Sequence, residues 1–102
     1  MPTIEKEGFV TADVDEALEI LQEECAEVIQ VICKIERFGI DSYYPETTIS
    51  NHEKLTKEVG DLLAMVDILV DRGVLDTAEM ITAKQAKTEK LKHWSNLFDD
   101  EL

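Results

Sequence analysis

Two pairs of acidic residues, Glu24 with Glu27 and Glu58 with Asp61, stand three positions apart in stretches whose apolar residues recur every three or four positions. On a helix this spacing puts both members of a pair on one side, about one turn apart. Neither pair belongs to a plain polar face. Glu24 and Glu27 adjoin an apolar edge made by Ile20 and Val31, and Glu58 and Asp61 are interleaved with Met65 and Ile68. Brought face to face, four carboxylates in a partly apolar setting repel one another and lose hydration, a cost that protons, basic partners or divalent cations must offset. Magnesium is the natural counter-ion, because it prefers carboxylate and water oxygens in octahedral geometry and also binds phosphate; manganese could substitute. Surface acids that merely lie beside an apolar edge are the plainer alternative.

The chemistry of such a centre would be hydrolysis at phosphorus. Bound Mg²⁺ polarises a phosphoryl group, neutralises developing charge and activates a water, while a remaining carboxylate orients or deprotonates that water. Other chemistries lack their residues. A di-iron bundle needs Glu-x-x-His pairs, but His52 is preceded at three positions by Ile49 and His93 by Lys90. There is no cysteine-histidine cluster for zinc, no P-loop or GxGxxG among the 4 glycines, and no arguable Ser-His-Asp set. A cationic counterpart exists at Lys84, Lys87, Lys90 and Lys92, of which the first three share a helical face. They could reach phosphate oxygens, or simply be surface lysines favoured near a helix C-terminus. Tyr43, Tyr44 and Trp94 could stack on a base or pack over a helix junction, and His52 reads as a capping-region residue.

The elements that must position these groups read as helices. The first runs from near Asp13 to Phe38, with Val14, Ala17, Leu18, Leu21, Cys25, Val28, Ile29, Ile32 and Ile35 as its main stripe and Ile20, Val31 and Phe38 as a second edge. Thr11 or Asp13 can cap it, and Gly39 supplies a left-handed exit. Residues 39 to 51 form a connection. Ser50 followed by Glu53 starts a second helix, with Leu55, Val59, Leu62, Leu63, Val66, Leu69 and Val70 facing inward and Arg72-Gly73 stopping it. Asp76 with Glu79 caps a third, reaching Trp94, and the final NLFDDEL reads as a short helical turn or a frayed tail. No alternating stretch is long enough for a sheet, so the expectation is an all-α helical bundle with a four-carboxylate metal site between two long helices.

Composition bounds the rest. The chain has 102 residues and 23 acidic against 10 basic side chains, a net charge of -13. That is one domain, 1–102 with a core of about 14–94. The charge opposes binding to a nucleic-acid polymer unless metals or a local basic patch reverse the field. No stretch is apolar enough for a membrane span, and MPTIEKEGFV lacks the features of a signal peptide. Cys25 and Cys33 read as two buried thiols in a reducing, cytoplasmic setting. Three helices make a thin core for one chain, and the spare apolar edges call for two or more copies, a homodimer at the least.

The ordered pair EECAE at Glu23 to Glu27 and EVGD at Glu58 to Asp61, with 30 residues between, resembles the Glu-Glu-x-x-Glu and Glu-x-x-Asp pattern of the MazG-like all-α nucleoside triphosphate pyrophosphohydrolases. The resemblance extends over roughly residues 14 to 94. It implies hydrolysis of NTPs or dNTPs between the α and β phosphates, giving a nucleoside monophosphate and pyrophosphate, often to remove unwanted nucleotides. It further implies Glu24, Glu27, Glu58 and Asp61 as Mg²⁺ ligands, with Glu24, Glu58 and Glu23 serving the chemistry and Glu23 supporting the site or assisting water. KTEKLKHW resembles the family's late basic-hydrophobic element, which makes Lys90 the leading phosphate contact, followed by Lys87 and Lys84. Lys87 stands where relatives specialised for deoxycytidine nucleotides carry Asn. Family members assemble as dimers or tetramers whose neighbouring chains complete the pocket. Two other readings remain: a non-enzymatic acidic helical module that binds a protein partner, and a DNA mimic, which would need a regular exposed acidic stripe.

Overall fold

The computed structural model describes residues 11–99, which form three α-helices: α1 (Ala12–Phe38), α2 (Asn51–Asp71) and α3 (Thr77–Trp94). Among the described residues there is no sheet, only an isolated antiparallel bridge between Tyr43 and Ser50. The N-terminal segment MPTIEKEGFV and the last three residues of NLFDDEL, like the ends of the 1–102 domain, lie outside the described residues.

Local chemistry sets the helix ends. Ser50 Oγ accepts the Glu53 N–H at 3.1 Å and donates to Glu53 Oε1 at 3.2 Å. Asp76 Oδ2 accepts the Glu79 N–H at 2.9 Å, so α2 and α3 start on the expected caps. Helix α1 does not. Thr11 occupies the cap position, but its hydroxyl accepts no backbone N–H of the helix and donates to the Asp13 side chain at 2.7 Å. Gly39 ends α1 with φ 95°, a conformation that an L side chain rarely adopts, and its N–H donates to the Ile35 carbonyl at 2.8 Å. The chain then hooks back through short backbone bonds, Tyr44 N–H to Ile49 O at 2.9 Å and Asn51 N–H to Ser42 O at 2.8 Å. The Asn51 side chain ties the hook to the end of α1 by donating to the Gly39 carbonyl at 2.9 Å.

The hook makes α1 and α2 an antiparallel pair, closed at the far end by an ion pair between Arg72 and Asp13. Their shared seam runs through Val14, Ala17, Leu21, Glu24, Val28, Val31 and Ile35 on α1, and Leu55, Glu58, Leu62, Met65 and Leu69 on α2, all buried or half-buried. Alternating steps of three and four are the spacing of knobs-into-holes packing. One acid from each helix therefore stands inside the seam. The expected main stripe of α1 shares Val14, Ala17, Leu21, Val28 and Ile35 with this seam, but its other members, Leu18, Cys25, Ile29 and Ile32, are exposed in the single chain. Cys25 and Cys33 are free and exposed, correcting the expectation of buried thiols: α2 covers the Glu24 side of α1 and leaves the cysteine side open.

Helix α3 buries no residue. It meets α2 along an open groove of about 450 Å³, with Leu63 and Val66 on one side and Met80 and Ile81 on the other. The outcome is an open, flat molecule of 47 × 43 × 17 Å with a radius of gyration of 17.5 Å, against about 13 Å for a compact chain of this length. Its accessible surface is 8088 Å². A compact monomer of this mass would expose about 5,800 Å².

Candidate metal centre

Halfway along the seam, Glu24 and Glu27 project from successive turns of α1 toward Glu58 on α2. Each of the three offers one carboxylate oxygen, and these oxygens all lie within 4.8 Å of one another. The helical register produces this directly: spacing three places Glu24 and Glu27 on one side of α1, and antiparallel pairing sets Glu58 opposite. Glu58 is fully buried, Glu24 half-buried and Glu27 exposed, so the cluster opens outward on the Glu27 side.

Two lysines of α2 border it. Lys54 Nζ lies 2.9 Å from Glu58 Oε1 and Lys57 Nζ 3.6 Å from the same atom. The ion pair does not satisfy the carboxylate. Neither Glu58 oxygen nor Glu24 Oε2, all of them buried, receives a well-directed hydrogen bond. A buried acceptor left in this state costs on the order of 1–3 kcal/mol, more when charged. A divalent cation with carboxylate ligands would take up these lone pairs and cancel the repulsion, so the donor set fits such an ion.

The two facing acids are displaced in opposite directions. The contact with Glu58 pushes Glu27 up, reinforced by the negative charges of Glu58 and Glu24 and by desolvation. Contact with Glu27 and the neighbouring Lys54 and Lys57 ammoniums hold Glu58 down at about 2 despite burial.

The other candidate residues lie apart from this group. Asp61, one turn beyond Glu58, is half-exposed and accepts from Lys57 Nζ at 2.8 Å, outside the three-acid group. Glu23 is exposed and enters no ion pair among the described residues. Lys84, Lys87 and Lys90 are exposed on α3, and the ammoniums paired with the cluster come from α2 instead. Lys54 and Lys57 were missed in the sequence, although each stands four positions before an acid of the motif, the spacing of an ion pair on one helix face. Trp94 is 85% exposed. Tyr43 and Tyr44 line a cavity of about 260 Å³ with Lys34, Phe38 and Asn51, where the hook leaves α1.

Comparison with known proteins agrees with the motif reading. The family model described as the MazG nucleotide pyrophosphohydrolase domain matches residues 13–94. No curated protein and no solved structure matches the chain. The matched span starts one residue inside α1 and ends on the last residue of α3, so the open third helix belongs to the family unit as fully as the seam does.

Proposed function

From the premise that the chain belongs to the MazG nucleotide pyrophosphohydrolase family, and is therefore a hydrolase, we propose that it cleaves nucleoside or deoxynucleoside triphosphates between the α and β phosphates. The products would be a nucleoside monophosphate and pyrophosphate, and the role removal of unwanted nucleotides. The single observation that carries this reading is the carboxylate group at Glu24, Glu27 and Glu58, in which Glu24 Oε2 and both Glu58 oxygens are buried and unsatisfied. It is a ready cation site in a chain whose net charge of -13 would otherwise repel a polyphosphate.

Glu24, Glu27 and Glu58 would hold Mg²⁺, or Mn²⁺ in its place, with Asp61 joining as a fourth ligand after exchanging its Lys57 contact. The ion supplies charge neutralisation and activation of water at phosphorus. The chain's own residues would do the rest: Glu24, Glu27 and Glu58 offer carboxylate oxygens to the ion, and Glu23 or Glu24 orients the attacking water. Lys90, with Lys87 and Lys84 behind it, would meet the outer phosphates as mobile point charges. For that, α3 must reach a cluster, its own or a neighbour's.

A homodimer or homotetramer accounts for the open shape. Leu18, Ile29 and Ile32 on α1, Leu63 and Ile68 on α2 and Ile81 on α3 are unpartnered in one chain. The excess surface of roughly 2,300 Å² over a compact monomer is the scale of an obligate interface. Two exposed free thiols suit a reducing compartment, and we place the protein in the cytoplasm; among the described residues no helix is long and apolar enough to cross a membrane.

The test is pyrophosphate release from a panel of NTPs and dNTPs with and without Mg²⁺, repeated with Glu58→Gln. Mg²⁺-dependent release that Glu58→Gln abolishes is the expected result. No release with any nucleotide, together with unaltered metal and nucleotide binding in the variant, would leave the non-enzymatic interaction module as the better account.

A further inference from the structure

We infer that Lys54 is an exchangeable internal counter-ion: it neutralises Glu58 in the metal-free chain and moves onto the Tyr44 wall of the neighbouring cavity when a divalent ion binds, coupling the two sites. The inference rests on the metal-centre reading and deepens it.

One ammonium touches both places. Lys54 Nζ is 2.9 Å from Glu58 Oε1 and 5.9 Å from the centre of the Tyr44 ring. The first contact is an ion pair that leaves both Glu58 oxygens without a directed hydrogen bond, so it supplies charge without filling the lone pairs an incoming ion would use. The second is at the outer limit of cation–π attraction and has room to shorten. A divalent ion engaging Glu24, Glu27 and Glu58 brings two positive charges to the place where Lys54 supplies one, and the ammonium is repelled. Asp61 offers it no vacancy, because it is paired with Lys57 at 2.8 Å in the metal-free chain and would be a metal ligand once the ion is bound. The Tyr44 face is an electron-rich surface within reach of this side chain, and Lys54 is only half-buried on a flexible four-carbon stem.

The move changes the cavity as well as the cluster. Its walls are largely aromatic, Phe38, Tyr43 and Tyr44, and Lys34 already stands 4.5 Å from the Tyr44 ring centre. A second ammonium there turns an apolar recess with one cation at its edge into a recess flanked by two. That combination suits a ligand with a flat ring and an anionic substituent, such as a nucleoside phosphate. Coupling of this kind is reciprocal: a ligand that draws Lys54 to the cavity exposes Glu58 and strengthens metal binding.

The whole protein, labelled with ¹³C in its tyrosine rings, tests this without turnover. Mg²⁺ alone is titrated at pH 8, with the Tyr44 signal assigned through Tyr44→Phe. The Tyr44 ring signal is expected to shift and saturate with the Mg²⁺ affinity measured by calorimetry. In Lys54→Met, which keeps the stem and removes the charge, that shift is lost and Mg²⁺ binds roughly three- to tenfold more tightly, the worth of one charge-assisted contact at a partly exposed ammonium. The gain in nucleoside monophosphate affinity caused by Mg²⁺ shrinks at least about threefold in the same variant. Saturation by Mg²⁺ with Tyr44 unmoved in the wild-type protein overturns the inference, and needs no variant to fold. So does a Tyr44 response that survives in Lys54→Met, or a variant whose Mg²⁺ affinity is unchanged or weaker. Mg²⁺ that fails to bind at all removes the metal centre itself, an outcome distinct from a bound ion that leaves Lys54 in place.

Discussion

The α1–α2 pair and α3 are built from the same kind of sequence and meet different fates. Helices α2 and α3 both begin from good caps and all three contain recurring apolar residues, yet the pair closes on a continuous seam while α3 buries nothing. The difference lies in periodicity. Along α1 and α2 the apolar residues keep alternating steps of three and four over several turns, enough to present one face to a partner. Along α3 they fall as Ala78, Met80, Ile81, Ala83, Ala86 and Leu91, small or scattered around the helix, and no single face can seat on α2. The pair is thus a rigid holder for charge, and α3 an arm that carries lysines and needs a second surface. Exchanging sites of opposite character between the two regions should produce effects of very different size.

The largest effect belongs to the chemistry of the seam. Glu24→Gln removes a cluster carboxylate while keeping the shape, and Mg²⁺-dependent pyrophosphate release is expected to fall about 1,000-fold, or about 4 kcal/mol of transition-state stabilisation. Lys90→Ala on α3 is expected to cost about tenfold to a hundredfold, because Lys87 and Lys84 can partly replace a mobile point charge. Steady-state rates with saturating Mg²⁺ measure both. A Lys90→Ala defect as deep as that of Glu24→Gln would break the contrast and make the arm an equal part of the centre.

Stability follows the same division. Leu69 is almost wholly buried in the seam, and Leu69→Ala should cost about 2–5 kcal/mol by chemical denaturation. Ile81 on α3 is half-exposed, so Ile81→Ala should cost under about 1 kcal/mol within a chain, a value that rises with protein concentration if a second copy covers it.

Acidity gives an effect confined to the pair. Glu58, held at about 2 against its ordinary 4.5, binds fewer protons folded than unfolded between those values, so metal-free stability rises as pH climbs through that window. Glu27 has the opposite sign. Its raised value means that the folded chain holds a proton the unfolded chain has released, and stability falls as pH rises from 4.5 through that value. Melting temperature in a chelator should pass through a maximum near pH 4.5 on account of this pair. Mg²⁺ should abolish the decline on the alkaline side, since it binds the fully ionised group. A decline that persists with Mg²⁺ present would locate the repulsion elsewhere.

Why the acids were legible and their setting less so follows from what spacing encodes. Glu24, Glu27 and Glu58 stand out because a solvated face poorly explains acids on an apolar flank, and the fold brings those three together. The seam itself was harder to read. Two apolar stripes run along α1, and a wheel centred on Leu21 favours the denser one through Leu18, Cys25 and Ile29; α2 packs on the line through Glu24 and Val31, where an acid lowers the apolar count. An acid in the seam is the functional exception that makes the true packing face look like the weaker one. Asp61 shares its motif with Glu58 but pairs with Lys57 in the single chain, and spacing says nothing about which cation an acid will choose. The open attitude of α3 was signalled only by its scattered apolar residues, while its caps and length are those of any packed helix.

The smallest test turns on those caps and separates the two ends of the seam from the arm. Ser50 and Asp76 each accept a backbone N–H at about 3 Å, so Ser50→Ala and Asp76→Ala should each cost about 1 kcal/mol of helix stability. Thr11 spends its hydroxyl on Asp13, whose carboxyl that bond holds below its ordinary value, and makes no cap bond to α1. Thr11→Ala should therefore change stability by only a few tenths of a kcal/mol. If Asp76→Ala lowers amide protection in α3 alone, while Ser50→Ala lowers it across α1 and α2 together, the arm unfolds as a unit separate from the holder. Loss of protection in all three helices from either variant would join them into one cooperative body, and the arm would then be part of the frame that holds the acids.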